Sequence, residues 1–91
     1  MRWHCIAVGR VQGVNYRARV AEAAERHGLA GSVANRPDGT VFIDVQGPKD
    51  VVEGFLREVS GPRGSSYATS VRRIADVPVA HGLRGFDILR T

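Results

Sequence analysis

The sequence has little cysteine, little lysine and no long apolar segment. Its single cysteine, Cys5, cannot form a disulfide within the chain, so we expect a reducing compartment and a cytoplasmic location. No apolar run approaches the roughly 20 residues that a helix needs to cross a bilayer. None near the start resembles a signal peptide either. We therefore expect a chain that neither spans a membrane nor is secreted.

Motifs for metal ions and nucleotides are also missing. His4 and His81 have no partner at the spacing of a metal site, so we expect no metal. The glycines at positions 9 and 13 are not followed by the lysine of a Walker A loop, and they do not form the Rossmann fingerprint. The sequence therefore predicts no cofactor.

What is present is a mildly basic globular composition. Lys and Arg number 13 against 9 Asp and Glu, which gives a formal charge of +4. An excess of positive charge favours anionic partners, although a solvated basic surface explains the same balance. With 91 residues and 43% hydrophobic residues, we expect one domain over residues 1–91.

Hydrophobic periodicity and turn signals predict two helices and five strands, with a loop rich in glycine and serine at 61–66. The predicted strands are Arg2 to Val8, Ala30 to Arg36, Thr40 to Gln46, about Tyr67 to Val77 and about Arg84 to Leu89; the predicted helices are Tyr16 to His27 and a second that starts at Pro48 and ends before Gly61-Pro62.

This order is β-α-β-β-α-β with a short additional C-terminal strand. Two β-α-β units joined by a hairpin close into a ferredoxin-like α/β sandwich, an α+β fold. We expect both helices on one face of a mostly antiparallel sheet. The fold serves enzymes, RNA binders and metal carriers alike, so it does not decide the function.

The stretch GRVQGVNYR at 9–17 joins the first strand to the first helix and carries an unusual charge pattern. Arg17 and Arg19 occupy the first helical turn, and Arg10 lies just upstream. The N-terminus of a helix is the positive end of its dipole, so cations there are unfavourable unless an anion is bound. From the residues alone, an anion site and a solvent-exposed turn are equally good explanations.

The same stretch has the residues that a tight loop requires. Gly9 and Gly13 allow the backbone to fold back so that its amides converge on one anion. Asn15 is a favourable N-cap, because its side chain can accept a hydrogen bond from an amide of the first turn. The loop is therefore predicted to end at a capped helix.

GRVQGVNYR resembles the signature of the acylphosphatase family, and GLAGSVANRPDGTV at 28–41 is similar to its second signature. The QGP at 46–48, the GP at 61–62 and the FDI at 86–88 also have counterparts in that family. The resemblance covers nearly the whole chain. It implies an enzyme that hydrolyses acyl phosphates to a carboxylate and inorganic phosphate, without metal or cofactor.

The resemblance also implies roles for particular residues. Arg17 would bind the phosphate, and Asn35 would orient the attacking water. Backbone amides of the loop would bind the substrate, and they belong to Gln12, Gly13, Val14, Asn15 and Tyr16. Inorganic phosphate would be both product and inhibitor, and a monomer is expected at this size.

Four features separate the chain from the usual family pattern. Ser32 stands where the family commonly has tryptophan, Ala34 replaces a larger or basic residue, Tyr16 replaces the commoner phenylalanine, and the segment after Pro62 is a few residues longer.

Two other functions stay open. One alternative is a catalytically weak binding or regulatory domain with the same fold. The other is an RNA-binding module, but no strand carries the aromatic pattern of such modules, so no nucleic acid is expected.

Overall fold

The computed structural model describes residues 1–90 and contains one six-stranded sheet and two helices. The elements are β1 (Arg2–Arg10), α1 (Tyr16–Arg26), β2 (Ala30–Asn35), β3 (Val41–Gln46), α2 (Lys49–Glu58), β4 (Gly61–Arg63), β5 (Ser66–Val77) and β6 (Phe86–Leu89). No helix within residues 1–90 is long and apolar enough to cross a lipid bilayer.

The sheet has the strand order β4-β5-β1-β3-β2-β6. Its four central strands, β5-β1-β3-β2, are antiparallel throughout and form the predicted ferredoxin-like arrangement. β6 adds a parallel strand beside β2, and β4 adds a hairpin strand beside β5. The predicted fold class is therefore confirmed, with one strand more than expected.

The core lies between the helices and one face of the sheet. Alternation places Cys5 and Ala7 of β1 beside Val41, Ile43 and Val45 of β3, all fully buried. Helix α2 contributes Val52 and Phe55, with Val59 just beyond its end, and α1 contributes Val20, Ala23 and Ala24. The buried residues of each helix recur three or four positions apart, so each helix packs one face against the sheet.

The loop predicted at 61–66 was wrong in part, because Gly61–Arg63 is the strand β4. Arg63 pairs with Ser66 across the two-residue turn Gly64-Ser65, and Gly64 has a φ of 61°. Glycine followed by serine is a recognised two-residue hairpin turn between strands. β4 has only three residues, Gly-Pro-Arg, so it gives no strand pattern of its own in the sequence.

The loop predicted to begin at Gly9 starts later, because β1 continues to Arg10. Gly9 pairs with Ala68 at an irregularity in the β1–β5 register and has a φ of 124°. A Cβ atom there would lie 2.4 Å from the carbonyl oxygen of Tyr67. Gly9 therefore permits close approach of β5, and the loop that follows β1 is residues 11–15.

Candidate active site

A cavity of about 300 Å³ lies where the loop 11–15 meets the first turn of α1 and the ends of β2 and β6. The residues that line it are Val11, Gly13, Asn15, Tyr16, Arg17, Ala18, Asn35, Ile88 and Arg90. The structure therefore brings Arg17 and Asn35 together with Gly13, Asn15 and Tyr16. Gln12 and Val14 do not line this cavity.

Arg17 is half-buried in the first turn of α1, where its side chain reaches towards β6. Its Nη1 donates a hydrogen bond to the carbonyl oxygen of Leu89, at 3.0 Å. Within residues 1–90 this is the one hydrogen bond of that side chain. A guanidinium has five N–H donors, so most of them stay available to a ligand while the Leu89 carbonyl fixes the direction of the group.

Asn35 is the last residue of β2 and contributes a buried amide oxygen to the site. It lies on the same side of the strand as Val33, which is fully buried against the helices. Its Oδ1 is buried and has no hydrogen-bond partner among the described residues. A buried polar atom without a partner costs about 1–3 kcal/mol, which points to a ligand or water as its partner.

The loop 11–15 is held against the β2–β3 turn by the side chain of Gln12. Its Nε2 donates to the carbonyl oxygens of Arg36 and Thr40, each at 2.8 Å. Arg36 follows Asn35 directly, so these bonds fix the loop relative to the catalytic candidate on β2. The side chain of Gln12 thus positions the loop, and binding by the backbone amides of Gln12 and Val14 stays a prediction.

Asn15 stands at the N-cap position of α1, but its side chain makes no capping hydrogen bond, so the predicted capping contact was wrong. The residue has a φ of 62° and a ψ of 21°, which is the left-handed conformation. Asn tolerates that conformation better than other non-glycine residues. Asn15 therefore serves the tight turn after Gly13, whose φ is 73°.

Arg19 does not belong to the cavity, although it follows Arg17 by only two residues. Successive helical residues are about 100° apart, so the two side chains point to nearly opposite sides of α1. Arg19 is 8% exposed and donates to the carbonyl oxygens at the end of α2 and to Ser66. Its acceptors are Glu58 O at 3.0 Å, Ser60 O at 3.0 Å, Gly61 O at 2.9 Å and Ser66 Oγ at 3.2 Å.

Arg19 and Arg10 therefore do not line the candidate anion site. Arg19 satisfies orphan carbonyls of a helix C-terminus, where positive charge is favourable. Arg10 lies at the exposed end of β1 and lines a different groove beside Pro62 and Tyr67. Only Arg17 of these three arginines lines the cavity.

Tyr16 lines the cavity and also connects α1 to the end of α2. Its ring is 1% exposed, and its hydroxyl donates to the carbonyl oxygen of Val59, at 2.8 Å. Burial raises the pKa of Tyr16 above its ordinary value, so the hydroxyl stays protonated. Tyr16 and Arg19 together attach the first turn of α1 to the end of α2.

Arg90 was not recognised as a site residue from the sequence. β6 runs parallel to β2 with Leu89 opposite Ala34, so the next residues in this register are Asn35 and Arg90. Only that pairing brings position 90 to the cavity. A basic residue directly after the predicted last strand was the available signal, but it gave no indication of the neighbouring strand.

The site is electrostatically suited to an anion. None of the nine residues that line the cavity in the described chain has a carboxylate, and two of them are arginines. The first turn of α1 also has no acidic residue. The positive end of a helix dipole, backbone amides and guanidinium groups act in the same direction here.

The chain is similar to known acylphosphatases in sequence and in structure. The sequence model of the acylphosphatase family matches residues 3–88 of this chain. An acylphosphatase from Bacillus velezensis is 38% identical over 86 residues, covering 94% of this chain and 91% of the relative. An acylphosphatase from Azoarcus sp. is 45% identical over 84 residues, covering 91% of this chain and 83% of the relative. The crystal structure of acylphosphatase from Bacillus subtilis has a TM-score of 0.88 at 32% identity, with 98% of each chain covered.

Proposed function

Because the chain belongs to the acylphosphatase family and is a hydrolase of acyl phosphates, we propose that Arg17 binds the phosphoryl group and Asn35 orients the attacking water. The observation that carries this proposal is the shared cavity. Arg17 and Asn35 come from a helix and a strand that are separate in the sequence, yet both line the same space at the N-terminus of α1.

Arg17 stabilises the charge of the phosphoryl group. Its anchor on the Leu89 carbonyl leaves N–H groups for two parallel hydrogen bonds to phosphoryl oxygens. Amides of the loop 11–15 and of the first turn of α1 add donors that are already oriented before the substrate arrives. Donors fixed in this way stabilise developing charge without reorganising during the reaction.

Asn35 acts on the water. Its buried Oδ1 is an acceptor without a partner among the described residues, so it can accept a hydrogen bond from water and direct the lone pair of that water at phosphorus. The amide NH₂ of the same side chain can donate to a phosphoryl oxygen. One side chain then holds both the nucleophile and its target.

The reaction exchanges one bond at phosphorus for another. The water oxygen forms a bond to phosphorus, and the bond from phosphorus to the acyl oxygen breaks, so the departing carboxylate takes that electron pair. A proton of the water passes to an oxygen of the phosphoryl group, and inorganic phosphate is the product. The leaving carboxylate is weakly basic, so it needs no general acid.

We also propose that no metal ion takes part in this reaction. Phosphoryl transfer depends mainly on positioning and on neutralising charge at the phosphoryl oxygens, which metal ions supply in many enzymes. Here the guanidinium groups and the helix N-terminus supply positive charge at the same place. Hydrolysis of benzoyl phosphate at an unchanged rate in excess chelator is the expected result, and a rate that returns only with added divalent metal contradicts it.

The residue roles are tested with Arg17→Ala and Asn35→Ala in the same assay. Each variant should lose at least about 100-fold in kcat/KM, which corresponds to roughly 2.7 kcal/mol of transition-state stabilisation. Asn35→Asp is the matched variant, since it keeps the size of the side chain but loses the NH₂ donor and adds a negative charge. It should be as inactive as Asn35→Ala.

Arg26→Gln is the control for the loss of one positive charge from α1. Arg26 is exposed in the last turn of that helix, far from its N-terminus, and contacts Glu58. Its kcat/KM should stay within about twofold of the parent protein. Full activity of Arg17→Ala or of Asn35→Ala would remove that residue from the mechanism.

Inorganic phosphate is proposed to act as product and competitive inhibitor, because it presents the same oxygens to the same donors.

We also propose that the protein works as a cytoplasmic monomer. The only cysteine, Cys5, is fully buried and so cannot pair with another chain while the protein is folded. Light scattering should give a mass near 9.9 kDa; twice that mass contradicts the monomer. The RNA-binding alternative is not favoured by the family comparison.

A further inference from the structure

Arg90 has no role in the signatures that identify the family, yet it lines the same cavity as Arg17 and Asn35. It is exposed, and it follows β6 directly. On the basis of the function proposed above, we propose that Arg90 is a second phosphate-binding residue, which contacts the phosphoryl group rather than the acyl group.

The position of Arg90 follows from backbone pairing. β6 is tied to β2 from Gly31↔Phe86 to Ala34↔Leu89, which places residue 90 beside Asn35 at the end of the parallel pair. Ile88 lies in β6 and Arg90 is the first residue after the strand; both line the cavity. The pairing of β6 with β2 therefore brings Arg90 to the edge of the cavity.

The end of β6 also holds the side chain of Arg17. The carbonyl oxygen of Leu89 accepts from Nη1 of Arg17 at 3.0 Å, and Arg90 is the next residue. Two arginines thus line one cavity, and none of its lining residues within 1–90 has a carboxylate to neutralise either of them. Two like charges are unfavourable in one small space unless an anion lies between them.

A dianionic phosphoryl group fits this requirement. The charge of an acyl phosphate is concentrated on its phosphoryl oxygens, and guanidinium groups recognise such oxygens in bidentate geometry. The acyl group of most substrates has no charge to attract a second arginine. Arg90 should therefore strengthen the binding of substrate and of inorganic phosphate by a similar factor.

The experiment compares Arg90→Gln, Arg90→Lys and the control Arg84→Gln. Arg84 is an exposed arginine shortly before β6 that does not line the cavity, so its replacement removes the same charge from the chain. The readouts are the inhibition constant of inorganic phosphate, kcat and KM for benzoyl phosphate, and the rise in Tm that phosphate produces. The inhibition constant is essential because KM alone does not report binding when chemistry is fast.

Arg90→Gln should raise the inhibition constant of phosphate and the KM of benzoyl phosphate by about tenfold each, the effect of one charged hydrogen bond near water. kcat should change less than threefold, and phosphate should raise the Tm less than in the parent protein. Arg90→Lys should recover part of the loss, and the difference between Arg90→Gln and the parent should shrink at high salt. Arg84→Gln should behave as the parent.

Two results would overturn the proposal while leaving the proposed function intact. One is an unchanged inhibition constant for phosphate with a raised KM, which assigns Arg90 to the acyl group. The other is an equal effect of Arg84→Gln, which reduces the role of Arg90 to general charge. The proposed function itself fails on a different result, full activity after replacement of Arg17 and Asn35.

Discussion

Arg17 and Arg19 lie two residues apart in the same helical turn, and we predict that their replacement by methionine has opposite consequences. Arg19→Met should destabilise the protein and leave the chemistry intact. Arg17→Met should abolish activity and leave the stability almost unchanged. Methionine is chosen because it keeps an unbranched apolar stem of similar reach, so packing beside the ring of Tyr16 is largely preserved.

The size of the Arg19 effect follows from its acceptors. Three backbone carbonyl oxygens, of Glu58, Ser60 and Gly61, lose a charged donor at 2.9–3.0 Å. All three are partly buried, so water replaces the donor only in part. At about 1 kcal/mol for each acceptor, the low end of the range for unsatisfied buried groups, the loss is about 3 kcal/mol. In a domain of this size this lowers the Tm by about 12–24 °C.

Replacement of Arg17 should cost much less stability, because its side chain makes a single hydrogen bond within residues 1–90, to the carbonyl oxygen of Leu89 at the cavity. We expect its free energy of unfolding to fall by less than about 1 kcal/mol. Urea denaturation measures both stabilities, and benzoyl phosphate hydrolysis, well below the lower Tm, measures both activities. Arg19→Lys should lie between the parent and Arg19→Met, since one ammonium cannot reach all the acceptors.

A loss of less than about 1 kcal/mol in Arg19→Met, or an equal loss of stability in Arg17→Met, contradicts the separate roles of the two arginines. A folded Arg19→Met with the loss of kcat expected for Arg17→Met contradicts them as well. If Arg19→Met does not fold, Arg19→Lys carries the same comparison at a smaller perturbation.

Three further predictions concern contacts outside the reacting centre. Tyr16→Phe removes the hydroxyl that donates to Val59 and should cost about 1 kcal/mol in urea denaturation with kcat retained; an unchanged stability contradicts that contact. Burial raises the pKa of Cys5 to about 12, so its thiol should not react with a disulfide reagent at pH 8 until urea unfolds the chain, and rapid reaction of the native protein argues against the core position. Hydrogen bonding from Arg26 lowers the pKa of Glu58 below its ordinary 4.5, so the stability from this contact is present above that pH and is lost as the pH falls. Glu58→Gln should weaken this pH dependence of the free energy of unfolding, and an identical acid profile of the variant and the parent would disprove it.

The sequence predicted the features that local patterns determine. Hydrophobic periodicity identified both helices and the strand β3, because burial on one side imposes a period that is visible in the chain. Arg17 and Asn35 were identified by motif resemblance, and the cavity unites them. Their catalytic roles stay predictions until the variants are assayed.

The features that the sequence did not predict depend on pairing between distant segments. Arg90 reaches the cavity only through the parallel register of β6 with β2. β4 forms only because a hairpin turn returns Gly61–Arg63 to β5. A strand partner is specified by tertiary packing, and short strands with few apolar residues have almost no periodicity of their own.

Arg19 shows the physical limit of reading charge against a single helix. A cation in the first turn of α1 is unfavourable if only that helix is considered. In the folded protein its guanidinium lies beyond the last turn of α2, where the carbonyl oxygens of Glu58 and Ser60 form the negative end of a second dipole. Burial lowers the pKa of Arg19 from its ordinary value. Arg19, which is unfavourable at the N-terminus of its own helix, therefore stabilises the C-terminus of α2. Of the two arginines in the first turn of α1, Arg17 lines the candidate anion site.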